Sequence, residues 1–521
     1  MRGLSFLAKD PTTKLPPSGW LPAAVTALLS GHDDRYGGFG GAPKFPHSMS
    51  LELLLRHYVS SGDPLSLTAA RTSLDAMASG GMYDHLGGGF ARYSTDTYWL
   101  VPHFEKMLYD NALLIRPYLH AWQLTGEPQY RQVVVETIEY VLRDLGVGVG
   151  VGVGVGVGPG APSPAAFASA EDADSEGEEG VFYVWRTAEV AATGGPECVE
   201  WYGVTDAGNF EGSNILNRLH APGDLIRPAA VQAGRDRLLV ARAKRPRPGL
   251  DDKVLTEWNA LFIGSLAEAA GVLARADWQD IAVRASEFML DNLRRADGRW
   301  LRSWQAEGGA RHLAYASDYA ALVEMFIRLA ELTGQARWIA SARDVADEML
   351  RLFWDDGVGG LFTTGRDADA LIARTKDVMD NATPAANNLA ALALLRLAVL
   401  TGHEPYKAAS ERIVQLLAPI AVQHPGAFGV ALAALDLLTE GVDEIVIAGE
   451  RPDLVDVVRR QYRPRAVLAW GEQFPSPLWE GRPDAAAYVC RNYTCGLPAT
   501  TAAQLANQLG DIGYLAPHPG V

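Results

Sequence analysis

The densest group of side chains that could move protons lies at residues 81–111. His85, His103 and Glu105 are spaced through a glycine-rich stretch, and imidazoles and environmentally shifted carboxyls exchange protons near neutral pH. Asp110 follows at the start of an apolar-periodic run, where a helix is expected to begin. We interpret these four residues as candidate catalytic groups. Taken singly, Asp110 is equally typical of a helix cap and Glu105 of a solvated ion pair.

Side chains suited to a sugar or polyol are interleaved with these groups. Aromatic rings can stack on the face of a sugar, and a guanidinium can donate several hydrogen bonds to hydroxyls. The candidate binding residues of this stretch are Tyr83, Arg92, Tyr93, Tyr98 and Trp99. The cluster as a whole favours a site over a purely structural loop.

A second acidic block occupies residues 170–180. Asp172 and Asp174 take the first and third positions of a calcium loop, but Tyr183 stands at the twelfth, where a bidentate glutamate belongs. We therefore expect no metal, and predict either a turn or a rim of carboxylates that faces a polyol. On the second interpretation Asp172 and Asp174 join the candidate binding residues. The aromatic run at 181–185 predicts a strand.

A third block, residues 251–259, again precedes an apolar-periodic run. Asp252 and Glu257 are candidate catalytic residues, and Trp258 and Asn259 are candidate binding residues. The alternative is structural, with Asn259 capping a helix and Trp258 packed in a core.

Two later segments repeat this placement of an acidic residue close to the start of an apolar run. Asp318 and Asp380 therefore complete the candidate binding residues. If all these runs begin at one end of a ring, carboxylates from several repeats would converge at its mouth. Burial and like-charge proximity there could raise the pKa of one carboxyl and leave another ionised, as acid–base chemistry requires.

The elements that must position these residues are indicated by an internal repeat. Leu-Thr-Gly recurs at residues 124–126, 332–334 and 400–402, each time between two apolar-periodic stretches. Helical hairpins are predicted at about 49–79, 107–145, 257–296, 317–354 and 384–420. Their first arms are more apolar than their second, which indicates an inner and an outer ring. A helix at 427–438 could pair with 20–29 and close the ring as a sixth hairpin; an open solenoid is the alternative.

Composition divides the chain into three parts. We expect an N-terminal extension at 1–19, the helical body at 20–440, and an α/β appendage with a C-terminal tail at 441–521. The body contains a Gly-Val alternation at 146–160, which holds too much glycine for a strand and is expected to be a surface insertion. Glycine-rich and aromatic excursions between the hairpins predict short strands.

Charge and composition exclude several classes of function. The formal net charge is −16, without a Lys/Arg stripe to attract a phosphate backbone, so nucleic acid is not an expected partner. No apolar run is long enough to span a membrane, and the first residues do not form a secretory signal, so we expect a cytoplasmic protein. Cys198, Cys490 and Cys495 lack redox or zinc spacing and are predicted to be reduced and mostly buried. No nucleotide motif occurs in strand-to-helix context, and no cofactor is expected.

Several of these blocks resemble the family of spermatogenesis-associated, thioredoxin-domain-containing proteins. The most specific match is the string Pro-His-Phe-Glu-Lys-Met-Leu-Tyr-Asp-Asn at 102–111; the other matching stretches lie at 37–46, 80–114, 170–185, 251–261 and 487–498. The resemblance implies an all-α (α/α)6 toroid of the six-hairpin glycosidase type, similar to N-acylglucosamine 2-epimerase, with β-hairpin excursions and a small C-terminal α/β appendage. It also implies a thioredoxin-like N-terminal domain. We expect that domain to be absent here, because the toroid begins almost at Met1 and no CxxC occurs, and a separate thioredoxin-like protein is an expected partner.

Two functions remain open. The first is a carbohydrate-active enzyme, either an epimerase or isomerase with His85 or His103 as base, or a glycoside hydrolase with a carboxylate pair. The second is a non-catalytic scaffold that binds a polyol or a protein and has lost its thioredoxin-like domain. The scaffold predicts histidines and carboxylates that satisfy one another away from any opening.

Overall fold

The computed structural model describes residues 15–16, 19–148, 152–153, 164–369, 373–482, 485–491 and 494–510. Within these residues the helices are α1 (Trp20–Leu29), α2 (Ser48–Ser61), α3 (Pro64–Ser79), α4 (Leu108–Thr125), α5 (Pro128–Asp144), α6 (Thr187–Thr193), α7 (Pro196–Trp201), α8 (Ala229–Arg242), α9 (Thr256–Val272), α10 (Ala276–Asn292), α11 (Ala316–Thr333), α12 (Ala336–Phe353), α13 (Ala386–Thr401), α14 (Glu404–Ala421), α15 (Gly429–Glu440), α16 (Pro452–Arg459) and α17 (Ala502–Leu509).

The strands are short. They are β1 (Tyr93–Ser94), β2 (Pro102–His103), β3 (Lys106–Met107), β4 (Gly146–Gly148), β5 (Gly152–Val153), β6 (Ala166–Phe167), β7 (Ala170–Glu171), β8 (Asp174–Ser175), β9 (Glu178–Glu179), β10 (Leu250–Asp251), β11 (Val254–Leu255), β12 (Leu301–Gln305), β13 (Gly309–Leu313), β14 (Asp443–Ala448), β15 (Ala466–Trp470), β16 (Ala486–Arg491) and β17 (Thr494–Cys495).

Six inner helices form a closed ring. Going round it, α2, α4, α9, α11, α13 and α15 each pack on the next, and α15 packs on α2. Five outer helices, α3, α5, α10, α12 and α14, each pack on the inner helix that precedes them, and α1 is tied to α15 by a hydrogen bond from Trp20 Nε1 to Thr439 Oγ1 (3.4 Å). The ring is an (α/α)6 toroid, as the resemblance implied, and not an open solenoid.

The difference between inner and outer helices follows from their sequences. In α13 every residue except Val399 is buried, as its nearly uninterrupted apolar sequence requires. In α12 the buried residues, among them Trp338, Ala342, Val345 and Met349, recur at three- and four-residue spacing, so only one face meets the ring.

The recurring Leu-Thr-Gly segment is the C-terminal cap of an inner helix. Gly126, Gly334 and Gly402 each have a positive φ of about 70°, which glycine adopts without strain, and each donates its N–H to a carbonyl of the last turn. The preceding threonine hydroxyl donates to the carbonyl four residues earlier. The repeat detected in the sequence is therefore the turn that reverses the chain between inner and outer arms.

Three asparagines fix the opposite ends of inner helices. Each side chain accepts a hydrogen bond from the N–H of one residue in the preceding excursion and donates to the C=O of that same residue. The pairs are Asn111 with Phe90, Asn259 with Phe167, and Asn387 with Leu361. Each pair of hydrogen bonds satisfies a buried backbone N–H and C=O that would otherwise be unpaired near the N-terminus of the helix.

Some excursions differ from the sequence-based predictions. The aromatic run 181–185 is not a strand, because Gly180 turns with φ 78° and Tyr183 and Val184 donate back to its carbonyl; Trp185 alone forms a bridge. The predicted turn at 170–180 is the tight hairpin β8–β9, with Glu176 and Gly177 at positive φ. The helices α6, α7 and α8 between α5 and α9 were not predicted.

The prediction that the Gly-Val alternation holds no strand is wrong for its first residues. Gly146–Gly148 pairs with both β5 and β6, and at Gly146 a side chain would meet the carbonyl oxygen of Leu142. Glycine is tolerated here because the strand passes close to a helix. Residues 149–151 and 154–160 of the alternation lie outside the described residues.

The appendage is a strand–helix–strand unit with an antiparallel extension. Its sheet has the order β15-β14-β16-β17, with β14 and β15 parallel and crossed over by α16. The prediction of reduced cysteines is wrong for two of the three, since Cys490 and Cys495 face each other across β16 and β17 and form a disulfide. The five-residue separation of the two cysteines suits a disulfide across a β-hairpin, a pairing that a search for CxxC motifs does not detect. Cys198 is free and buried.

A charged network fills the interior below the first turns of the inner helices, on the side where the appendage docks. We call it the base network: Glu52, Arg116, His120, Glu268, Glu324, Arg328, Glu331 and Arg396. Its centre is Arg328, whose guanidinium lies 2.8 Å from Glu324 and 3.2 Å from Glu331. A cavity of about 120 Å³ is lined by residues of both the network and the appendage. No helix in the described part of the chain combines the length and apolarity that a membrane span requires.

Candidate functional site

Three neighbouring inner helices bring their first turns together at one end of the ring, which we call the mouth. Tyr109 on α4 packs its ring against Trp258 on α9, with centroids 4.8 Å apart. The contact between α9 and α11 is polar: Ser317 Oγ on α11 donates a hydrogen bond of 2.8 Å to Glu257 Oε2 on α9. Asp110 and Trp258 are each the third residue of their helix, so the repeat places unlike side chains at equivalent positions.

Glu257 and Asp318 form a buried pair of carboxyls at the mouth. Asp318 receives three N–H donors: the backbone of Glu257 at 3.0 Å, the backbone of Tyr315 at 2.7 Å, and Arg302 Nη1 at 2.9 Å. The hydrogen bond from Ser317 goes to Glu257, and Arg302 lies 3.9 Å from it. Because donors stabilise the charge on Asp318, the proton of the pair resides on Glu257.

The pKa of Glu257 is raised to about 7, first by burial and then by the charge of Asp318. A helix N-terminus favours a carboxylate by ~0.3–2 kcal/mol, whereas a pKa moved from 4.5 to about 7 corresponds to about 3 kcal/mol in the opposite direction. Burial therefore outweighs the helix dipole. Glu257 is a carboxyl that can donate or accept a proton near neutral pH.

Asp110 is a second buried carboxyl, and the protein leaves it unbonded. The residue is 6% exposed, and its Oδ2 has no hydrogen-bond partner among the described residues. Burial raises the pKa of Asp110 well above its ordinary value, with a further contribution from Glu105, while Arg92 opposes the shift. An unpartnered buried oxygen is costly, and a ligand hydroxyl at this position would remove that cost.

A third group lies beside Asp110 and contains His103. Its Nδ1 is 2.7 Å from Glu179 Oε1 and its Nε2 is 3.5 Å from Glu105 Oε2, while Arg92 Nη1 is 3.3 Å from the same Glu105 oxygen. Tyr93 stacks on the imidazole, with centroids 5.1 Å apart. The short ladders β1–β2 and β3–β7 hold these residues, and the side chain of His103 is 28% exposed. This imidazole is oriented by carboxylates and reaches solvent.

Asp380 and Asp252 make their hydrogen bonds to other partners. Asp380 accepts from Ala385 N, Asn388 Nδ2 and Val430 N, so it fastens the start of α13 to that of α15. Burial raises the pKa of Asp380 to about 6. Asp252 is half-buried and accepts a hydrogen bond from Gln305 Nε2 at 2.8 Å.

His85, Tyr83 and Trp99 are packed into the excursion layer. His85 bonds the carbonyl of Gly80 through Nε2, and burial lowers its pKa to about 4, so it is neutral at physiological pH. The hydroxyl of Tyr83 donates to Glu136 on an outer helix. Trp99 is fully buried and donates Nε1 to a backbone carbonyl. These contacts give each of the three residues a structural role, and the proposed site does not include them.

Asn259, Asp172 and Asp174 have different surroundings. Asn259 is buried, and its amide accepts a hydrogen bond from Phe167 N and donates one to Phe167 O. Asp172 and Asp174 are exposed, and Asp174 belongs to the hairpin β8–β9. Within the described ranges no group of three or more His, Cys, Asp or Glu side chains is arranged to hold a metal ion.

Sequence reasoning missed three residues that shape the mouth. Tyr109 precedes Asp110 in the sequence, and an aromatic residue beside a candidate carboxyl was the available sign of a binding surface. Ser317 and Arg302 come from the following repeat, and the alternation of charged and apolar residues along β12 was the available sign that Arg302 faces another element.

Comparisons with known proteins agree with this architecture. No family model matches the chain. Human spermatogenesis-associated protein 20 is 32% identical over 547 aligned positions, which cover 92% of this chain and 68% of the human protein. The rat protein of the same name is 30% identical, over 95% of this chain and 70% of its own length.

A solved structure shares the fold. Cellobiose 2-epimerase from Bacillus thermoamylovorans B4167 superposes with a TM-score of 0.51 over 77% of this chain and 86% of the epimerase, at 11% identity. At that identity the similarity concerns the toroid and not the reaction. The toroid, and 32% identity with the human protein over most of the chain, identify the chain as a member of the spermatogenesis-associated protein 20 family.

Proposed function

We propose that this protein is a carbohydrate-active enzyme with its reaction centre at the mouth of the toroid. The observation that carries the proposal is Glu257, a buried carboxyl with a pKa of about 7, together with Asp110, a buried carboxyl whose Oδ2 has no hydrogen-bond partner among the described residues. Asp318 and Asp380 each accept hydrogen bonds from three N–H groups, whereas Asp110 Oδ2 accepts none from the described residues.

Glu257 acts as the general acid. Half protonated near pH 7, it donates its proton to the leaving oxygen of a glycoside as the bond from that oxygen to the anomeric carbon breaks. A water molecule then adds to the anomeric carbon, and the proton that it releases returns to Glu257. Asp318 is a positioning residue, because it holds the backbone of Glu257 and keeps the charge of the pair. Asp110 accepts a hydrogen bond from a substrate hydroxyl, and Arg92 and Arg302 border the two carboxyls with further donors.

The ligand class is supported by the aromatic surfaces around these carboxyls. Trp258 is half-buried, Tyr315 is 39% exposed and Phe45, in ring contact with Tyr93, is 41% exposed. Flat exposed rings beside hydrogen-bonding carboxyls and guanidiniums suit a ring-shaped, hydroxyl-rich ligand.

Epimerisation or isomerisation is the second candidate, and His103 favours it. Its imidazole is partly exposed and is oriented by Glu179. A general base that abstracts a proton is commonly oriented by a carboxylate in this way. In that reaction His103 removes the proton beside a carbonyl and Glu257 protonates the carbonyl oxygen. A separate thioredoxin-like partner stays a prediction.

Proton NMR in heavy water with a panel of reducing sugars and small glycosides tests both candidates. Hydrolysis would give new anomeric signals, and epimerisation would wash deuterium in at C2. Glu257→Gln is expected to lower hydrolysis by ~10²–10⁴-fold, whereas His103→Ala would abolish wash-in alone. Glu139→Gln, which removes an exposed carboxylate on the outer helix α5, is the matched control and should retain activity.

The outcomes separate the proposals. Turnover that survives in Glu257→Gln would remove this residue from the mechanism. No reaction with any sugar, combined with no saturable shift of the Trp258 and Tyr109 signals on ligand addition, would overturn carbohydrate chemistry at the mouth. Saturable binding without turnover would replace the enzyme by the polyol-binding scaffold.

A further inference from the structure

The cavity of about 120 Å³ that the base network and the appendage line together lies outside the mouth, and we call it the base cavity. Its walls come from the C-terminal halves of inner helices and from residues 458–468 of the appendage. One water molecule requires only ~10–15 Å³ of such space. The base cavity therefore has room for a ligand of several heavy atoms between two parts of the fold.

Positive side chains predominate in the walls of the base cavity. Five arginines and two glutamates line it. The glutamates are ion-paired within the base network, Glu268 with Arg328 at 3.5 Å and Glu331 with Arg396 at 2.7 Å. Two of the five arginines are paired in this way, and the other three are Arg56, Arg459 and Arg463.

These three arginines donate their hydrogen bonds to neutral acceptors. The bonds run from Arg56 Nη1 to Pro464 O at 3.1 Å, from Arg459 Nη2 to Glu331 O at 2.9 Å, and from Arg463 Nε to Gln461 Oε1 at 2.8 Å; Arg459 and Arg463 each bond one further carbonyl. Carboxylates act on them from beyond ion-pair distance, namely Glu52 on Arg56, Glu331 and Asp456 on Arg459, and Asp443 on Arg463. Burial nevertheless lowers the pKa of Arg459 and of Arg463, so these carboxylates do not offset the burial of the two cations.

Gln461 adds a buried donor to the same wall. The residue is 6% exposed, its Oε1 accepts from Arg463, and its Nε2 has no hydrogen-bond partner among the described residues. An unpartnered buried N–H group is costly, and an acceptor in the cavity would remove that cost. Three guanidiniums and an amide N–H group favour an acceptor that carries negative charge.

We propose that the base cavity binds a small tetrahedral oxyanion, a phosphate group that is free or carried by a metabolite, through Arg56, Arg459, Arg463 and Gln461. The planar fork of a guanidinium matches the oxygens of a phosphate. A tetrahedral anion accepts hydrogen bonds from several directions, which suits donors from α2 and from the loop after α16. The bound anion would link the toroid to the appendage and stabilise the folded protein.

Isothermal titration calorimetry with inorganic phosphate, against sodium chloride at matched ionic strength, tests this inference. The wild type should bind phosphate saturably at one site. Gln461→Glu keeps the oxygen that accepts from Arg463 and places a carboxylate among the arginines, so the variant should fold and its phosphate affinity should fall by about tenfold or more. Arg460→Gln removes an exposed arginine of the same loop that does not line the cavity, and this matched control should bind as the wild type does.

Thermal unfolding gives a second readout. Phosphate should raise the Tm of the wild type and of Arg460→Gln more than chloride does, and should leave that of Gln461→Glu at its chloride value. Methyl phosphate distinguishes the two sources, since tighter binding of the ester would indicate a phosphorylated metabolite and tighter binding of inorganic phosphate the free ion.

Two results would overturn the proposal: no saturable binding of either phosphate compound, or equal phosphate affinity in the wild type and Gln461→Glu. If Gln461→Glu does not fold, Arg56→Gln takes its place with the same expected loss. The mouth lies at the other end of the inner helices, so none of these outcomes bears on its carbohydrate chemistry.

Discussion

Buried carboxyls occur both at the mouth and in the base network, and they differ in their partners. At the base, Glu324 is bonded by Arg328, and Arg396 lies 3.8 Å away. At the mouth, Glu257 and Asp110 make no hydrogen bond to an arginine in the described structure. Glu324 is therefore hydrogen-bonded by an arginine at the base, whereas at the mouth Arg302 hydrogen-bonds Asp318 and leaves Glu257 and Asp110 without such a bond.

The pKa values follow this difference. Burial alone would raise the pKa of Glu324, but Arg328, Arg396 and Arg116 hold it at about 2. Burial raises the pKa of Glu257 to about 7, and the negative charge of Asp318 adds to the shift. The base network therefore supplies stability at neutral pH, whereas the mouth stores a proton at the expense of stability, as functional sites do.

The largest effect is expected from removing the central cation of the base. Arg328→Met leaves Glu268, Glu324 and Glu331 with an uncompensated buried charge, and the free energy of unfolding should fall by ~3–5 kcal/mol. Urea unfolding at pH 7 measures it. Arg351→Met, which removes an exposed arginine paired with Glu348, is the control and should cost at most ~1 kcal/mol. A loss at position 328 as small as the control's would mean that the network contributes no stability.

Removing one carboxylate of the base should have a somewhat smaller effect that depends on pH. The pKa of Glu324 is depressed on folding, from 4.5 to about 2, so its contribution is present above pH 4.5 and is lost as the pH falls towards 2. Glu324→Gln should therefore cost ~3 kcal/mol at pH 7 and progressively less below pH 4.5. Urea midpoints of variant and wild type between pH 7 and 3 check this. A cost that does not change with pH would contradict the assignment.

At the mouth the same substitution should act in the opposite direction. The pKa of Glu257 is raised on folding, so the folded protein binds more protons than the unfolded chain between pH 4.5 and 7 and loses stability as the pH rises through that window. Glu257→Gln removes this loss. Relative to wild type, its free energy of unfolding should increase by up to about 3 kcal/mol between pH 4.5 and pH 8. Equal differences at both pH values would show that folding leaves the pKa of Glu257 unshifted, and a difference that decreases as the pH rises would show that it is depressed, as that of Glu324 is.

The smallest effect is expected at the asparagines that hydrogen-bond the backbone at the starts of inner helices, Asn111, Asn259 and Asn387. These side chains support the mouth and do not titrate. Asn259→Ala removes both bonds to Phe167 and should cost ~1–3 kcal/mol at any pH between 5 and 8. Asn111→Ala, the equivalent change on α4, should match it. Thermal unfolding of both variants is the measurement. A decrease in the free energy of unfolding below about 0.5 kcal/mol in both would show that water replaces these asparagine hydrogen bonds without loss.

The repeat and the apolar patterns predicted the helical hairpins with their inner and outer arms, whereas the closed toroid was implied by the family resemblance. Leu-Thr-Gly marks the capped turns, and the apolar sequence of α13 marks an inner helix, because both signals are local. The disulfide and the strand in the Gly-Val segment were missed, since each depends on a partner strand.

Candidate residues at the mouth were found in sequence, but their roles were not distinguished. Asp110, Asp318 and Asp380 all lie near the starts of inner helices, yet two are saturated by donors that arrive from other segments, such as Val430 on α15. Spacing along one helix specifies which end of the ring a carboxyl occupies. Which carboxyl remains unbonded depends on contacts between repeats, and one sequence does not reveal those.

Carboxyl titration by NMR tests the difference between mouth and base most directly. With glutamate labelled with ¹³C at the carboxyl carbon, the resonance that disappears in Glu257→Gln should titrate near pH 7, and the resonance that disappears in Glu324→Gln should remain ionised down to the lowest pH at which the protein is folded. A Glu257 resonance that titrates at or below 4.5 would contradict a stored proton at the mouth, and with it the general acid of the proposed reaction.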